Sequence, residues 1–230
     1  MYLQHSEALW HQFPQLVVGV LVIDGIHPHV ESGQHQSPWL QQARERLTQT
    51  TESTLPSIRA WRQAYTQMGL KPTQYRSAAE ALLRRFRRDQ ALPQLHPLVD
   101  LGNAISLAFA LPVAIFDLDQ IAEYLEIRHA TGHEEYLTLN GDHEHPDPGE
   151  IIFADAQQHA HARRWTFRQS GQSAVRDQTS RVLIISEALH DEATADISAL
   201  IDALAQAISD LWTPPQTQGL LSASAPRITF

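Results

Sequence analysis

The order of hydrophobic patterns along the chain is the feature that most constrains its fold. Up to Pro112 the apolar residues recur mainly at helical spacing, apart from one early apolar run, QLVVGVLVID. From Val113 onward, short strand-like segments follow one another, separated by turn signals such as NGD and PDPGE. Helices followed by a run of strands predict an α+β fold with a mainly antiparallel sheet and flanking helices, rather than a doubly wound parallel sheet.

The same patterns predict the individual elements. The predicted strands are QLVVGVLVID, VAIFDLD, YLEIRHA, EEYLTL, GEIIFAD, ARRWTFRQS and RVLIISEAL. Helices are predicted at residues 38–50 and 55–68 and in the segments YRSAAEALLRRFRRDQ, HPLVDLGNAISLAFALP and TADISALIDALAQAISDLW. We expect one domain over residues 1–212 and a tail over residues 213–230 that is mostly loop, with RITF as a candidate edge strand.

Composition excludes some classes of function. The chain has 230 residues and no cysteine, which excludes disulfides, thiolate zinc sites and a cysteine nucleophile. The N-terminus has no basic segment before its apolar run, and that run is too short to span a membrane, so we expect a soluble cytoplasmic protein without membrane contacts. The formal net charge of −9 argues against a protein coated with nucleic acid, but it allows a local basic surface.

One predicted helix concentrates arginine. In YRSAAEALLRRFRRDQ the apolar residues Ala79, Leu82, Leu83 and Phe86 share a face. Beside that face lies a row of charged residues at four-residue intervals, Arg76, Glu80, Arg84 and Arg88, flanked by Arg85 and Arg87. The candidate RNA contacts are Arg76, Arg84, Arg85 and Arg88. The segment is either a solvated face with local Glu-Arg pairs or a surface that binds phosphates.

The segment ARRWTFRQS, residues 162–170, alternates cations with aromatic residues. If it is a single strand, Arg164 and Arg168 share one face while Trp165 and Phe167 share the other, because side chains alternate across a pleat. We therefore expect the arginine face to border a ligand cavity, with Asp155 and Glu187 as candidate carboxylate partners.

Two parts of the sequence resemble one family. HPLVDLGNAISLAFALPVAIFDLDQI and GEIIFADAQQHAHARRWTFRQSGQSAVRDQTSRVLIISEAL, preceded by MGLKPTQYRSAAEALLRR, are similar to the editing module of the phenylalanyl-tRNA synthetase beta subunit, its fused third and fourth B domains, in freestanding form. The resemblance covers residues 61–189. It implies an α+β domain that handles the acceptor end of an aminoacyl-tRNA and hydrolyses mischarged tRNA in trans, without a cofactor, a metal or an aminoacylation site.

Ester hydrolysis assigns candidate roles to particular residues, because it needs a positioned water and stabilisation of the oxyanion. The candidate catalytic residues are Glu187, Arg168 and Asn103, and the candidate substrate-binding residues are Arg164, Trp165, Ser170 and Asp100. The structural alternatives are a surface Glu187, an Asn103 that ties helix to loop, and aromatic residues that belong to the core.

The chain departs from the synthetase pattern at three places. Ala114 stands where the pattern has a histidine, and His161, Arg163, Arg164 and Trp165 replace a glycine-rich segment. The strand glutamate of the pattern aligns with Ile185, two positions before Glu187, and a two-residue offset keeps the same face of a strand. These departures predict an altered substrate pocket.

Three other functions remain open. The first is a non-catalytic module that binds RNA or an amino-acid-like ligand, favoured by Ala114. The second is a metal hydrolase, suggested by 13 histidines and three His-x-His pairs, of which His159 and His161 lie near Asp155. The third is a serine nucleophile in RQSGQS, but the segment lacks a Gly-x-Ser-x-Gly elbow and we expect no histidine beside Ser170 or Ser173.

Overall fold

The computed structural model describes all 230 residues. Six helices are α1 (Glu7–Gln12), α2 (Gly33–Gln49), α3 (Pro56–Gln67), α4 (Ala78–Asp89), α5 (Pro97–Phe109) and α6 (Ala193–Leu211). Twelve strands are β1 (Tyr2–His5), β2 (Val17–Ile23), β3 (Val113–Asp117), β4 (Tyr124–His129), β5 (Tyr136–Leu137), β6 (His143–Glu144), β7 (Ile151–Ala154), β8 (Ala160–Arg163), β9 (Arg168–Gln169), β10 (Val182–Ala188), β11 (Thr217–Leu221) and β12 (Arg227–Thr229). None of the helices has the length and apolar character needed to cross a membrane.

Two sheets form the centre of the molecule. The first has the strand order β12-β1-β4-β7-β8-β9, and the second has the order β11-β2-β10-β3. All pairings in both sheets are antiparallel except that of β1 with β4. The predicted α+β fold with a mainly antiparallel arrangement is therefore confirmed.

Strand β10 separates the two main cores because its side chains alternate across the second sheet. Leu183 and Ile185 pack between the sheets with residues of β4 and β7, whereas Val182 and Ile184 pack against helices α5 and α6. A third cluster joins α2, α4 and α5. The period-2 pattern consequently places Glu187 between the sheets, on the same face as Leu183 and Ile185.

Helix α6 approaches strand β2 closely at Gly19. A Cβ atom at this position would lie 2.4 Å from Ile201 Cγ1 and 2.7 Å from Ile197 Cγ2. Only the absence of a side chain at Gly19 permits this contact, which fixes the helix on the sheet.

The prediction that ARRWTFRQS is one strand is wrong. The segment is a hairpin: β8 ends at Arg163, residues 164–167 form the turn, and β9 begins at Arg168. Arg164 and Trp165 have φ angles of +47° and +58°, so the chain reverses and the alternation of faces is lost.

The C-terminal residues 213–230, expected to be mostly loop, contribute two strands. β11 pairs with β2 at the edge of the second sheet, and β12 pairs with β1 at the edge of the first. The candidate edge strand in RITF is thus present, and the end of the chain borders both sheets.

Candidate functional site

A buried carboxylate occupies the space between the sheets. Glu187 is 2% exposed, and its Oε1 lies 2.6 Å from His5 Nε2 and accepts a hydrogen bond of 2.9 Å from Trp165 Nε1. Its Oε2 has no hydrogen-bond partner in the protein and is not fully enclosed. One oxygen of Glu187 is therefore held in place while the other is free to bind a ligand or a water.

Glu187 lines a partly open cavity of about 60 Å³. Phe116, Phe153 and Trp165 contribute apolar walls, and Arg168 lines the cavity together with Glu187. A volume of this size holds a few water molecules. The arrangement of one carboxylate and one guanidinium in an apolar surrounding is suited to polar chemistry at the cavity mouth.

The hairpin turn explains why Trp165 reaches Glu187. Tyr65 donates a hydrogen bond of 3.1 Å to the carbonyl oxygen of Arg164 and so supports the unusual backbone of the turn. The Trp165 ring is fully buried and packs edge-on against Trp61 and Phe13, with ring centroids 4.9 and 4.8 Å away. Trp165 is a core residue as well as a cavity wall.

The two arginines of the hairpin have different environments, contrary to the expectation that they share a face. Arg164 lies over the ring of Tyr75 and near the carboxylates of Asp147 and Glu150, and it lines neither of the two central cavities. Arg168 lines the first cavity, and its side chain is 40% exposed with Nη1 3.6 Å from Glu144. Neither arginine pairs with Asp155 or Glu187, the partners expected from the sequence.

Asn103 lines a second cavity of about 470 Å³. Its side-chain amide makes no hydrogen bond within the protein and is not fully enclosed. Val113 and Gln169 line both cavities, so the two share a wall. Leu95 and Leu139, which are 68% and 73% exposed, stand at its rim. This cavity has an apolar rim and a free amide inside it.

The other two candidate substrate-binding residues are engaged elsewhere. Asp100 accepts hydrogen bonds from the backbone N–H of Leu95, and burial raises the pKa of its carboxyl. Ser170 is fully buried, donates to the carbonyl oxygen of Leu137 and accepts from the N–H of Gln172. Neither residue lines the two cavities.

Helix α4 carries an open, arginine-lined concavity. It is lined by Arg76, Arg84, Arg85, Arg87 and Arg88. Buried Glu52 and Glu80 lie beneath it: Glu80 binds Arg62 at 2.7 Å, and Glu52 binds Arg87 at 2.9 Å.

Glu80 thus points inward instead of standing in the exposed row, and Leu82 is only half-buried. On this surface six arginines contact three carboxylates, including Asp89, which leaves a surplus of three positive charges. Four of the arginine side chains, those of Arg84, Arg85, Arg87 and Arg88, are between 42% and 75% exposed. The surface combines local ion pairs with an excess of accessible guanidinium groups. It therefore has features both of a solvated face with Glu-Arg pairs and of a surface that binds phosphates.

A histidine does lie beside Ser173, and the expectation that none would is wrong. His161 Nδ1 is 2.9 Å from Ser173 Oγ, and His161 Nε2 is 3.2 Å from Asp155 Oδ2. Both Ser173 and His161 are fully buried, and neither lines a described cavity. A nucleophile must meet its substrate, so Ser173, His161 and Asp155 form a buried structural cluster, in which His161 hydrogen-bonds Ser173 and lies close to Asp155 without a hydrogen bond from Nε2.

His159 and His161 flank Asp155, with ring centroids 6.4 Å apart. Burial alone would raise the pKa of the Asp155 carboxyl, but contacts from His161 and the backbone N–H groups of His159 and Ala122 lower that pKa to about 2. Nowhere in the chain do three or more histidine or acidic side chains converge in a geometry that suits a metal ion.

Sequence reasoning missed His5 and Gln169. His5 lies 182 residues from Glu187 in the chain, so no local pattern connects them. Gln169 donates a 2.6 Å hydrogen bond to the carbonyl oxygen of Ile115, which fixes it in the wall between the cavities. The only sequence signal for either residue is a polar side chain in a short strand.

Most of the chain belongs to a known class of domain. Residues 60–208 match the B3/4 domain family, and the chain is a member of that family. This confirms the domain expected from the sequence, whereas its freestanding form and its editing role stay predictions.

Among solved structures, the chain is similar to an N-terminal fragment of the phenylalanyl-tRNA synthetase beta subunit from Pyrococcus horikoshii. The identity is 11% and the TM-score 0.46, with 95% of this chain and 49% of that chain covered, so this chain spans about half the length of the fragment. None of the curated proteins matches the chain.

Proposed function

We propose that this chain hydrolyses the ester bond of a mischarged aminoacyl-tRNA in trans. The observation that carries the proposal is the position of helix α4, which joins the arginine surface to the Glu187 cavity. Ala78, the first residue of α4, lines that cavity and donates a 2.7 Å hydrogen bond to the carbonyl oxygen of Thr166. A polyanion bound along α4 would therefore end at the cavity mouth.

The arginine surface supports the RNA part of the proposal. Twelve residues of helix span about 18 Å, and the surplus of guanidinium groups along it is suited to successive phosphates. The acceptor end of a tRNA is single-stranded and carries the ester at its terminal ribose. Arg76, Arg84, Arg85 and Arg88 are the proposed backbone contacts.

The two cavities support the ester part. Glu187 Oε2 orients a water that attacks the ester carbonyl, while Arg168 at the mouth stabilises the negative charge on the carbonyl oxygen. The attacking water gives a proton to Glu187 Oε2, and the tetrahedral intermediate collapses by breaking the bond to the ribose oxygen, which takes up that proton; the products are the free amino acid and the tRNA. The second cavity, beside Asn103, has room for the side chain of the amino acid, and the side chain enters it when Gln169, which stands in the wall between the two cavities, moves aside.

Deacylation of a panel of mischarged tRNAs tests the proposal. Glu187→Gln removes the carboxylate with little change in volume, and we expect hydrolysis to fall by about 10² or more. Arg168→Ala should lower it by about 10² to 10³, the usual cost of one oxyanion donor, or roughly 2–4 kcal/mol. The matched control is Glu123→Gln, because Glu123 is exposed and makes no ion pair.

Melting curves of the same variants separate catalysis from stability. Loss of hydrolysis with a near-native melting temperature supports the proposal for Arg168. Full activity in Glu187→Gln contradicts the role of Glu187 as the group that orients the water.

A second candidate is a non-catalytic module for RNA or an amino-acid-like ligand. The observation that favours it is the environment of Glu187, which is 2% exposed and bound by donors from two distant segments, as a structural tie between sheets would be. Binding of tRNA by the wild-type protein without hydrolysis of any member of the panel would select this candidate.

A further inference from the structure

The N-terminal strand reaches the candidate site from outside the family-matched residues. His5 is the last residue of β1, which belongs to the first sheet, while Glu187 lies in β10 of the second sheet. The matched region begins at residue 60. The contact of 2.6 Å between His5 Nε2 and Glu187 Oε1 is therefore made by a segment that the family match does not include.

The contact holds one carboxylate oxygen of Glu187 and leaves the other without a protein partner. His5 Nε2 and Trp165 Nε1 both meet Oε1, and no protein group meets Oε2. A carboxylate that accepts two N–H donors on one oxygen cannot rotate without losing both. With Trp165 alone, the carboxylate is held by one donor and either oxygen can turn toward the cavity.

The His5 ring makes no other hydrogen bond and has one aromatic packing contact. It is 3% exposed, and its Nδ1 has no hydrogen-bond partner. It packs on Trp10, with ring centroids 5.1 Å apart. A buried polar pair is weak evidence for stability, because desolvation of both groups offsets much of their attraction. An apolar pair would join the two sheets equally well.

We propose that His5 is a positioning residue for Glu187: it fixes Oε1 so that Oε2 points at the ester and its attacking water. The inference rests on the proposed ester hydrolysis for its consequence in catalysis. Its structural core, control of the Glu187 orientation by the N-terminal strand, stands independently of any activity.

The test compares two substitutions that differ in one donor. His5→Gln keeps an N–H donor at nearly the place of Nε2, whereas His5→Leu has none. Misplacement of a reacting group by about 1 Å costs on the order of 10²-fold in rate, so His5→Leu should lower kcat by about 10²-fold and change KM by less than about threefold. His5→Gln should recover most of kcat. The matched control is Gln4→Leu in the same strand, where Gln4 binds Glu126 at 2.8 Å and does not touch Glu187.

A second readout needs no activity. The indole N–H of Trp165 donates to Oε1, so its ¹H–¹⁵N resonance, assigned with Trp165→Phe, reports on the position of the carboxylate. We expect this resonance to shift or broaden in His5→Leu and to stay near its native position in His5→Gln and Gln4→Leu.

The two readouts separate failure of the inference from failure of the proposed function. An unchanged Trp165 resonance in His5→Leu, or a native kcat in that variant, overturns the inference. If the wild-type protein hydrolyses no member of the tRNA panel, the proposed function fails. In that case the Trp165 resonance alone decides whether His5 holds Glu187: a shift in His5→Leu supports the inference, and no shift overturns it.

Discussion

Replacing Asp155 with asparagine tests how the turn after strand β7 is stabilised. Asp155 follows strand β7 and is 2% exposed. Its Oδ1 accepts from the N–H groups of Gln157 and His159 at 3.0 and 2.9 Å, and its Oδ2 accepts from the N–H of Ala122 at 3.1 Å. An asparagine places an NH₂ group against at least one of these donors, so Asp155→Asn loses hydrogen bonds that only a carboxylate can accept.

The magnitude follows from the pKa of the carboxyl. Contacts with His161 and the backbone outweigh burial and lower the pKa of Asp155 from 3.8 to about 2. A shift of this size corresponds to about 2 kcal/mol of folding free energy at neutral pH. We expect Asp155→Asn to lower the free energy of unfolding by about 2–3 kcal/mol at pH 7, or roughly 4–12 °C in melting temperature for a domain of this size.

The stabilisation that the Asp155 carboxylate contributes depends on pH with a definite sign. Because the folded-state pKa is lowered, the stabilisation is fully present above the unfolded-state pKa near 4 and is lost as the pH falls toward 2. The difference in stability between wild type and Asp155→Asn should therefore shrink by about 1 kcal/mol between pH 6 and pH 3. Glu134, whose pKa is also lowered to about 2 by backbone N–H groups and Arg128 against the effect of burial, is present in both proteins and cancels.

Urea unfolding at pH 7, 6, 5, 4 and 3 measures this difference. The control is Asp119→Asn, since the Asp119 side chain is 50% exposed and its contact is an exposed pair with Arg181 at 3.0 Å, for which we expect a loss of about 1 kcal/mol or less. A native stability of Asp155→Asn at pH 7, or a difference from wild type that stays constant down to pH 3, would refute the reasoning.

Two further predictions concern the RNA surface and the helix contact. Replacing Arg84 and Arg88 with Gln should weaken tRNA binding and reduce the slope of log K against log salt by about 1–2, since each lost phosphate contact removes roughly one counterion. The charge-matched control replaces Arg181 and Arg227 with Gln. Equal effects in both double variants would mean that helix α4 is a solvated face and not an RNA-binding surface. Gly19→Ala should lower the free energy of unfolding by about 1–3 kcal/mol, because its Cβ would overlap Ile201. Gly33→Ala, where a Cβ meets no atom within 4 Å, is the control, and similar melting curves for both alanine variants would contradict the close approach at Gly19.

The sequence by itself determined most of the longer elements and the faces that they bury. Helical spacing predicts α4, α5 and α6, and alternation predicts β2, β3, β4, β7 and β10, because backbone geometry repeats every 3.6 or 2 residues and the repeat is visible within a short window. The same alternation puts Glu187 on the face of Leu183 and Ile185, so its position between the sheets follows once those residues are buried.

The hairpin at residues 164–167 could not be predicted this way. The turn contains no glycine, asparagine or proline, although Arg164 and Trp165 adopt positive φ angles that usually call for such residues. The conformation is supported by contacts from distant elements, the Tyr65 hydroxyl and the Trp61 ring. Local propensity therefore predicted a strand, and tertiary packing overrode it.

Only the tertiary structure decided which residues share a site. It brings His5 to Glu187 across 182 residues, turns Glu80 inward beneath Arg62, and places Asn103 in a different cavity from Glu187 with Gln169 in the wall between them. A periodic pattern states which face of an element is buried, but not which other element covers it. That choice depends on the pairing of strands and on shape complementarity between sheets, which are properties of the whole chain.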